Sequence, residues 1–183
     1  MRGYFAIGVE GLSKPMNFGN LLRSAHGFGA SFFFTINADT AVRNIRSDTS
    51  NTVDHLPYYA WEGIEDMALP RNCQLVGVEL TDDAVELPSF GHPVLAAYVM
   101  GAERSSLTPP LQARCDHIIK IPTAFCINVA TAGAIVMYDR IRSMGKFAER
   151  PVATGAPTQV RPQHVQGKPV FRSDRRASIF ETE

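Results

Sequence analysis

The chain is poor in cysteine. It has three, Cys73, Cys115 and Cys126, an odd number with no Cys-x-x-Cys pair among 183 residues. That argues against a disulfide framework or a zinc site and suits a reducing cytosol. It also lacks net charge: 18 Lys and Arg balance 18 Asp and Glu, so it is no generic polycation that coats nucleic acid. No apolar run approaches the roughly 20 residues of a membrane span. The opening stretch, residues 1–9, reads as a strand and not as a signal peptide with a small-residue cleavage site. His26, His55, His92 and His117 are not spaced as metal pairs with a carboxylate or Cys. A cytoplasmic protein with no membrane partner and no metal is expected.

What is present suits a globular enzyme. Hydrophobic residues make up 45% and charged residues 20%, enough apolar content for a core without disulfides or metal. Residues 1–144 carry 11 Lys/Arg and 14 Asp/Glu, whereas residues 145–183 carry 7 and 4. Pro151, Pro157, Pro162 and Pro169 interrupt every helical window of the second part. The reading is therefore a domain at 1–145 and a Pro-containing basic tail at 146–183. The tail is expected to be extended or partly disordered, with packing at Val170-Phe171 and Ile179-Phe180. Such a tail suits either a phosphate backbone or plain solvation.

Apolar runs alternate with helical patterns. Residues 4–9, 31–36, 74–80, 94–100 and 117–121 read as buried strands, and 56–61 is strand-like. Residues 17–29 read as a helix capped by Asn17, with Leu21, Ala25 and Phe28 on one face and Asn20, Arg23 and Gly27 on another. A short helix is expected near 62–68. Residues 128–144 give the clearest helix, with Val129, Ala132, Val136 and Ile141 at helical spacing and Gly145 terminating it. Short apolar strands separated by helices predict an α/β protein with a parallel sheet covered on both faces.

Three segments could carry chemistry. Asn17-Phe18-Gly19-Asn20-Leu21-Leu22-Arg23 opens a helix, where free backbone N–H groups favour anions; a capped helix with a solvated Arg is the commoner outcome. Val99-Met100-Gly101-Ala102-Glu103-Arg104-Ser105-Ser106-Leu107-Thr108-Pro109-Pro110 carries a buried strand into a turn, at the strand end where open α/β sheets bind ligands; a plain strand-to-helix loop fits it equally well. Ile121-Pro122-Thr123-Ala124-Phe125-Cys126-Ile127-Asn128-Val129-Ala130-Thr131-Ala132-Gly133 runs from a strand through a loop into a helix rich in small residues, which spacing alone reads first as a tightly packed core helix. Trp61, Tyr58 and Tyr59 suit base stacking but more often mean core or dimer packing.

Each segment is weak alone; their order is not. The succession N-x-G-x-x-x-R, G-x-E-x-x-x-L-(S/T)-P and I-P…N-V-x-x-A-G-A resembles the SPOUT superfamily of RNA methyltransferases, in its TrmH (SpoU) branch, over roughly residues 3–144. The resemblance implies an α/β knot, with a deep trefoil knot in the C-terminal half of the domain. It also implies S-adenosylmethionine as methyl donor, a homodimer, and a ribose 2′-hydroxyl of tRNA or rRNA as acceptor. Carried over residue by residue, it makes Arg23, Asn17, Glu103 and Asn128 the catalytic set. Leu80, Met100, Gly101, Ile121, Cys126, Ile127, Asn128 and Ala132 become the donor-binding set. The chain departs from the family pattern at Ser106, where Gly is usual, and at Cys126 and Ala130, where serines are usual. A catalytically silent RNA-binding or assembly module that keeps the fold is the alternative. A dinucleotide enzyme is disfavoured, because Gly27-Phe28-Gly29 ends a helix and does not follow a strand.

Overall fold

A computed structural model describes residues 3–39, 42, 55–102, 105–147 and 154–155. Among them are seven strands: β1 (Tyr4–Glu10), β2 (Phe32–Ile36), β3 (Tyr58–Trp61), β4 (Gln74–Val78), β5 (Val85–Glu86), β6 (Leu95–Met100) and β7 (His117–Lys120). Three α-helices accompany them: α1 (Pro15–Gly27), α2 (Pro109–Arg114) and α3 (Val129–Met144). The strands form one sheet in the order β3-β2-β1-β6-β4-β7-β5, and every pairing is parallel. The chain therefore crosses from β6, between β1 and β4, over to β7 on the far side of β4.

Alternation along the strands sorts the core onto two faces. Phe5, Ile7, Val9, Phe33, Tyr98 and Met100 point to one, where α1 supplies Phe18, Leu21, Leu22 and Ala25, and α3 supplies Val129, Val136 and Met137. Ala6, Phe32, Phe34, Leu75, Ala97 and Val99 point to the other, with Leu107 and Leu111 of the α2 region. The two long helices lie together on the first face. Their contact needs Gly133: a Cβ there would stand 2.3 Å from a Leu21 methyl and 3.2 Å from Met100 Cε.

A buried cation ties the same face together. Arg140 of α3 has no exposed surface. Its Nη1 donates to the Pro93 carbonyl at 2.6 Å and the Tyr98 hydroxyl at 3.0 Å. Its Nη2 donates to the carbonyls of Tyr4 at 3.2 Å and Val94 at 3.0 Å. His92 bridges the Tyr98 hydroxyl (2.6 Å) and Asp139 (2.9 Å). Burial pushes the Tyr98 phenol up to about 12 and the His92 imidazole down. None of these contacts is visible in residue spacing.

Several boundaries differ from the sequence reading. The first helix begins at Pro15, with Lys14 as the N-cap and no side-chain cap. Asn17 is thus buried in the first turn and does not cap it. Pro at the first helical position lacks an N–H to satisfy, and the Lys14 carbonyl accepts from the amides of Asn17 and Phe18. Strand β4 stops at Val78, two residues short of Leu80: the Glu79 amide still bonds the Ile119 carbonyl, but the Leu80 amide turns to the Glu79 carboxylate. Residues 62–66 form bends and a turn in place of the expected helix; the Gly63 amide donates to Asp66. Tyr58 and Trp61 pack against the β2 phenylalanines on opposite faces, and Tyr59, half exposed, stacks on Trp61.

Chain contacts divide the molecule into two units, Met1–Gly145 and Lys146–Glu183. All elements above belong to the first. In the second only Lys146, Phe147, Thr154 and Gly155 are described. The readings of an extended tail and of packing at Val170, Phe171, Ile179 and Phe180 lie outside the described residues.

Candidate functional site

A cleft of about 530 Å³ opens at the C-terminal ends of β4, β6 and β7, the edge of an open α/β sheet where ligands bind. Its walls come from four places. Val78, Glu79 and Leu80 follow β4; Met100, Gly101, Ala102, Ser105 and Ser106 end β6 and follow it. Ile121, Thr123, Cys126, Ile127 and Asn128 connect β7 to α3, whose first turn adds Val129 and Ala132. Lys14 reaches the cleft from the start of α1. The lining mixes apolar side chains with backbone groups and polar side chains, and its size suits a nucleoside-sized ligand.

The local conformation explains why these segments meet. Gly101 follows the buried end of β6, and a Cβ there would lie 2.6 Å from the Ser105 carbonyl oxygen and 2.9 Å from the Leu107 nitrogen. Only glycine lets the turn fold back on itself so closely. Asn128 caps α3, its Oδ1 accepting from the amides of Ala130 (2.9 Å) and Thr131 (3.3 Å). Its Nδ2 donates to Asn17 Oδ1 at 3.0 Å. One side chain thus starts α3 and joins it to the first turn of α1, across 111 residues of sequence.

All eight residues of the expected donor-binding set, Leu80, Met100, Gly101, Ile121, Cys126, Ile127, Asn128 and Ala132, line this one cleft. Of the expected catalytic set, Asn17 and Asn128 are brought into contact. Arg23 stands apart. It lies on the exposed side of α1, fewer than two turns or about 9 Å of helix from Asn17, and does not line the cleft. Glu103 lies outside the described residues. Two of the three departures from the family pattern, Ser106 and Cys126, face the cleft; the third, Ala130, is buried against the helix-covered face of the core.

Lys14 and Glu79 were missed by the sequence reading. Lys14 is exposed and makes no side-chain hydrogen bond or ion pair among the described residues, so the cleft has an unengaged cation at its rim. Its only signal was its place just before Pro15. Glu79 gave no signal, because its carboxylate acts on a segment 28 residues away. Cys126 is exposed, while Cys73 and Cys115 are half-buried. Burial pushes the Cys115 thiol up to about 11 and raises that of Cys73.

The family described as "SpoU rRNA Methylase family" matches residues 4–138. The 23S rRNA (guanosine-2′-O-)-methyltransferase RlmB of Blochmanniella floridana is 24% identical over 143 residues, covering 73% of this chain and 56% of that protein. Among solved structures, the AdoMet-bound rRNA methyltransferase from Sinorhizobium meliloti superposes with a TM-score of 0.68 at 21% identity, over 79% of this chain and 58% of that one. A structure described as giving insight into the 2-OH methylation of C/U34 on tRNA superposes with a TM-score of 0.66 at 19% identity. It matches 78% of this chain and 92% of that one. The structures share the fold. The chain spans somewhat more than half the length of the RlmB relatives it matches.

Proposed function

We propose, from the premise that this chain belongs to the SpoU rRNA methylase family, that it transfers a methyl group from S-adenosylmethionine to a ribose 2′-hydroxyl of tRNA or rRNA. The observation that carries this reading is the convergence of motif residues from 80 to 132 on one cleft of nucleoside size. The fit is chemical as well as spatial. Leu80, Met100, Ile121 and Ile127 offer an apolar slot for a purine, and the surrounding loops offer backbone groups for its polar edges. Gly101, Cys126, Asn128 and Ala132 complete the donor-binding set. When bound, the donor supplies a methyl group already activated on a sulfonium, so placement provides much of the acceleration.

The acceptor hydroxyl must lose its proton. A guanidinium stays protonated in ordinary surroundings, so Arg23 serves here as a phosphate clamp and as electrostatic stabiliser of the developing alkoxide. Asn17 and Asn128 hold the two helix starts at the cleft mouth, and Glu103 keeps the role that the resemblance implies. Because Arg23 does not line its own chain's cleft, the homodimer belongs to this reading: a second copy's α1 can bring its Arg23 to the acceptor. The exposed apolar side chains Met16 on α1 and Ile135 and Tyr138 on α3 suit that contact. The knotted threading of the family fold and a cytoplasmic setting are part of the same proposal.

Incubation with labelled S-adenosylmethionine and total RNA, followed by mapping of the methylated nucleotide, tests it. The expected product is a 2′-O-methylated nucleotide. Failure of the protein to bind S-adenosylmethionine, with or without RNA, would leave only the silent RNA-binding module. Arg23→Lys is expected to lose at least tenfold in kcat, because Lys cannot reproduce bidentate phosphate geometry. Mixing Arg23→Ala chains with chains crippled at Gly101 should restore up to a quarter of the activity if the arginine acts across a dimer. No restoration would place it within one chain.

A further inference from the structure

The loop that leaves β6 forms one wall of the cleft, through Gly101, Ala102, Ser105 and Ser106. Strand β6 lies between β1 and β4 in the sheet, and a glutamate stands at or just past the end of each neighbour. Glu10 is the last residue of β1, and Glu79 follows directly on β4. Both carboxylates reach towards the loop from opposite sides. Glu79 Oε2 accepts from the Leu107 amide at 2.8 Å, while its Oε1 accepts from the Leu80 amide at 3.0 Å. Glu10 Oε2 accepts from the Thr108 amide at 2.8 Å, and its Oε1 from the Thr108 hydroxyl at 2.6 Å. Two consecutive amides are thus held by two carboxylates from flanking strands.

These amides need outside partners. They precede α2, whose first residues are Pro109 and Pro110, and the first N–H groups of a helix have no acceptor within it. The Leu107 carbonyl is held as well, by Gln112 Nε2 at 2.7 Å, and the Leu107 side chain is buried. The loop is consequently fixed at its far end, while at its near end Gly101 is pressed against the backbone of Ser105 and Leu107. Glu79 also lines the cleft itself. With both oxygens engaged by backbone amides, it is built to hold the wall and not to act as a base.

We propose that Glu79, with Glu10 as its buried counterpart, is a positioning residue for the methyl donor: it sets the wall formed by Gly101, Ala102, Ser105 and Ser106, and thereby the affinity for S-adenosylmethionine. The proposal rests on that donor occupying the cleft. It assigns this chain's Glu79 a role outside the three motifs.

Glu79→Gln tests it. The amide keeps the size of the carboxylate but has one acceptor oxygen, and its NH2 would face one of the two backbone N–H groups. Calorimetric titration of the full chain with S-adenosylmethionine is expected to show Kd raised roughly tenfold, as for loss of one hydrogen bond to a charged acceptor. The KM for the donor should rise in parallel, with kcat at saturating donor within about twofold and RNA affinity unchanged. Thr108→Val, which removes only the hydroxyl bound by Glu10, should weaken donor binding in the same direction, by roughly threefold; it serves if Glu79→Gln does not fold. Unchanged Kd in both variants, or a lower melting temperature with unchanged Kd in the folded fraction, overturns the role of the clamp. Absence of binding by the wild-type chain overturns the methyl-donor reading itself and the clamp with it.

Discussion

Cys126 is the residue where the cleft can be probed most directly. It is exposed and lines the cleft, whereas burial holds the Cys115 and Cys73 thiols above their ordinary range. Because the thiolate is the nucleophile, iodoacetamide near pH 8 should label Cys126 first. Saturating S-adenosylmethionine should slow that labelling several-fold, read by peptide mass spectrometry; an unchanged rate would put the donor elsewhere. Arg140 has the opposite character. Truncation in Arg140→Ala would leave the Tyr4, Pro93 and Val94 carbonyls without this donor and open a cavity. The cost is expected to be about 3 kcal/mol or more, measured by denaturant unfolding. The cleft residues within the motifs were legible through the resemblance that the three motifs carry together, since each segment alone reads equally well as an ordinary loop or a packed helix. Lys14, Glu79 and Arg140 were not, since their significance lies in partners far along the chain.

At the scale of elements, the closest contacts make the sharpest predictions. In Gly101→Ala the new methyl would meet backbone atoms of Ser105, Ser106 and Leu107 at 2.6–3.0 Å. The turn must open, and donor affinity is expected to fall at least tenfold by calorimetry while the melting temperature moves by only a few degrees. Gly133→Ala meets chiefly the flexible end of Leu21. It should cost about 1–3 kcal/mol as overpacking, with the α1–α3 contact loosened. Continuous apolar runs located β1, β2, β4, β6 and β7, and a helical period located α3, to within a residue or two, because these elements are buried in the core. The start of α1 was misread, since asparagine is favoured as a cap and the sequence shows no contact between Asn17 and Asn128. The stretch after β3 was read as a helix, but its backbone is bent, with the Gly63 amide bound by Asp66 and the Ile64 carbonyl by Arg114.

For the molecule as a whole, His92 couples stability to pH. Burial, the larger cause, lowers its pKa, against the raising effect of Asp139; Tyr98, Phe90 and nearby Arg140 complete its surroundings. A folded pKa below the unfolded value of about 6.5 means that the unfolded chain takes up the proton more readily. The contribution of His92 is therefore whole above about pH 6.5 and is lost as the pH falls from there towards the folded pKa. The melting temperature of the wild type should drop more than that of His92→Gln between pH 7 and 5; parallel curves would remove His92 from the account. By itself the sequence determined the class of fold, because apolar runs and helix periodicity follow from local backbone geometry, while the order of its three motifs carried the resemblance that gave the family and the residues of one cleft. The tertiary structure alone decided the strand order and the joining of Asn17 to Asn128. It also decided the exclusion of Arg23 from its own chain's cleft and the grip of Glu10 and Glu79 on the loop between them. Those relations depend on which strands become neighbours. A parallel sheet brings together strand ends separated by dozens of residues, so no local pattern can encode their contacts.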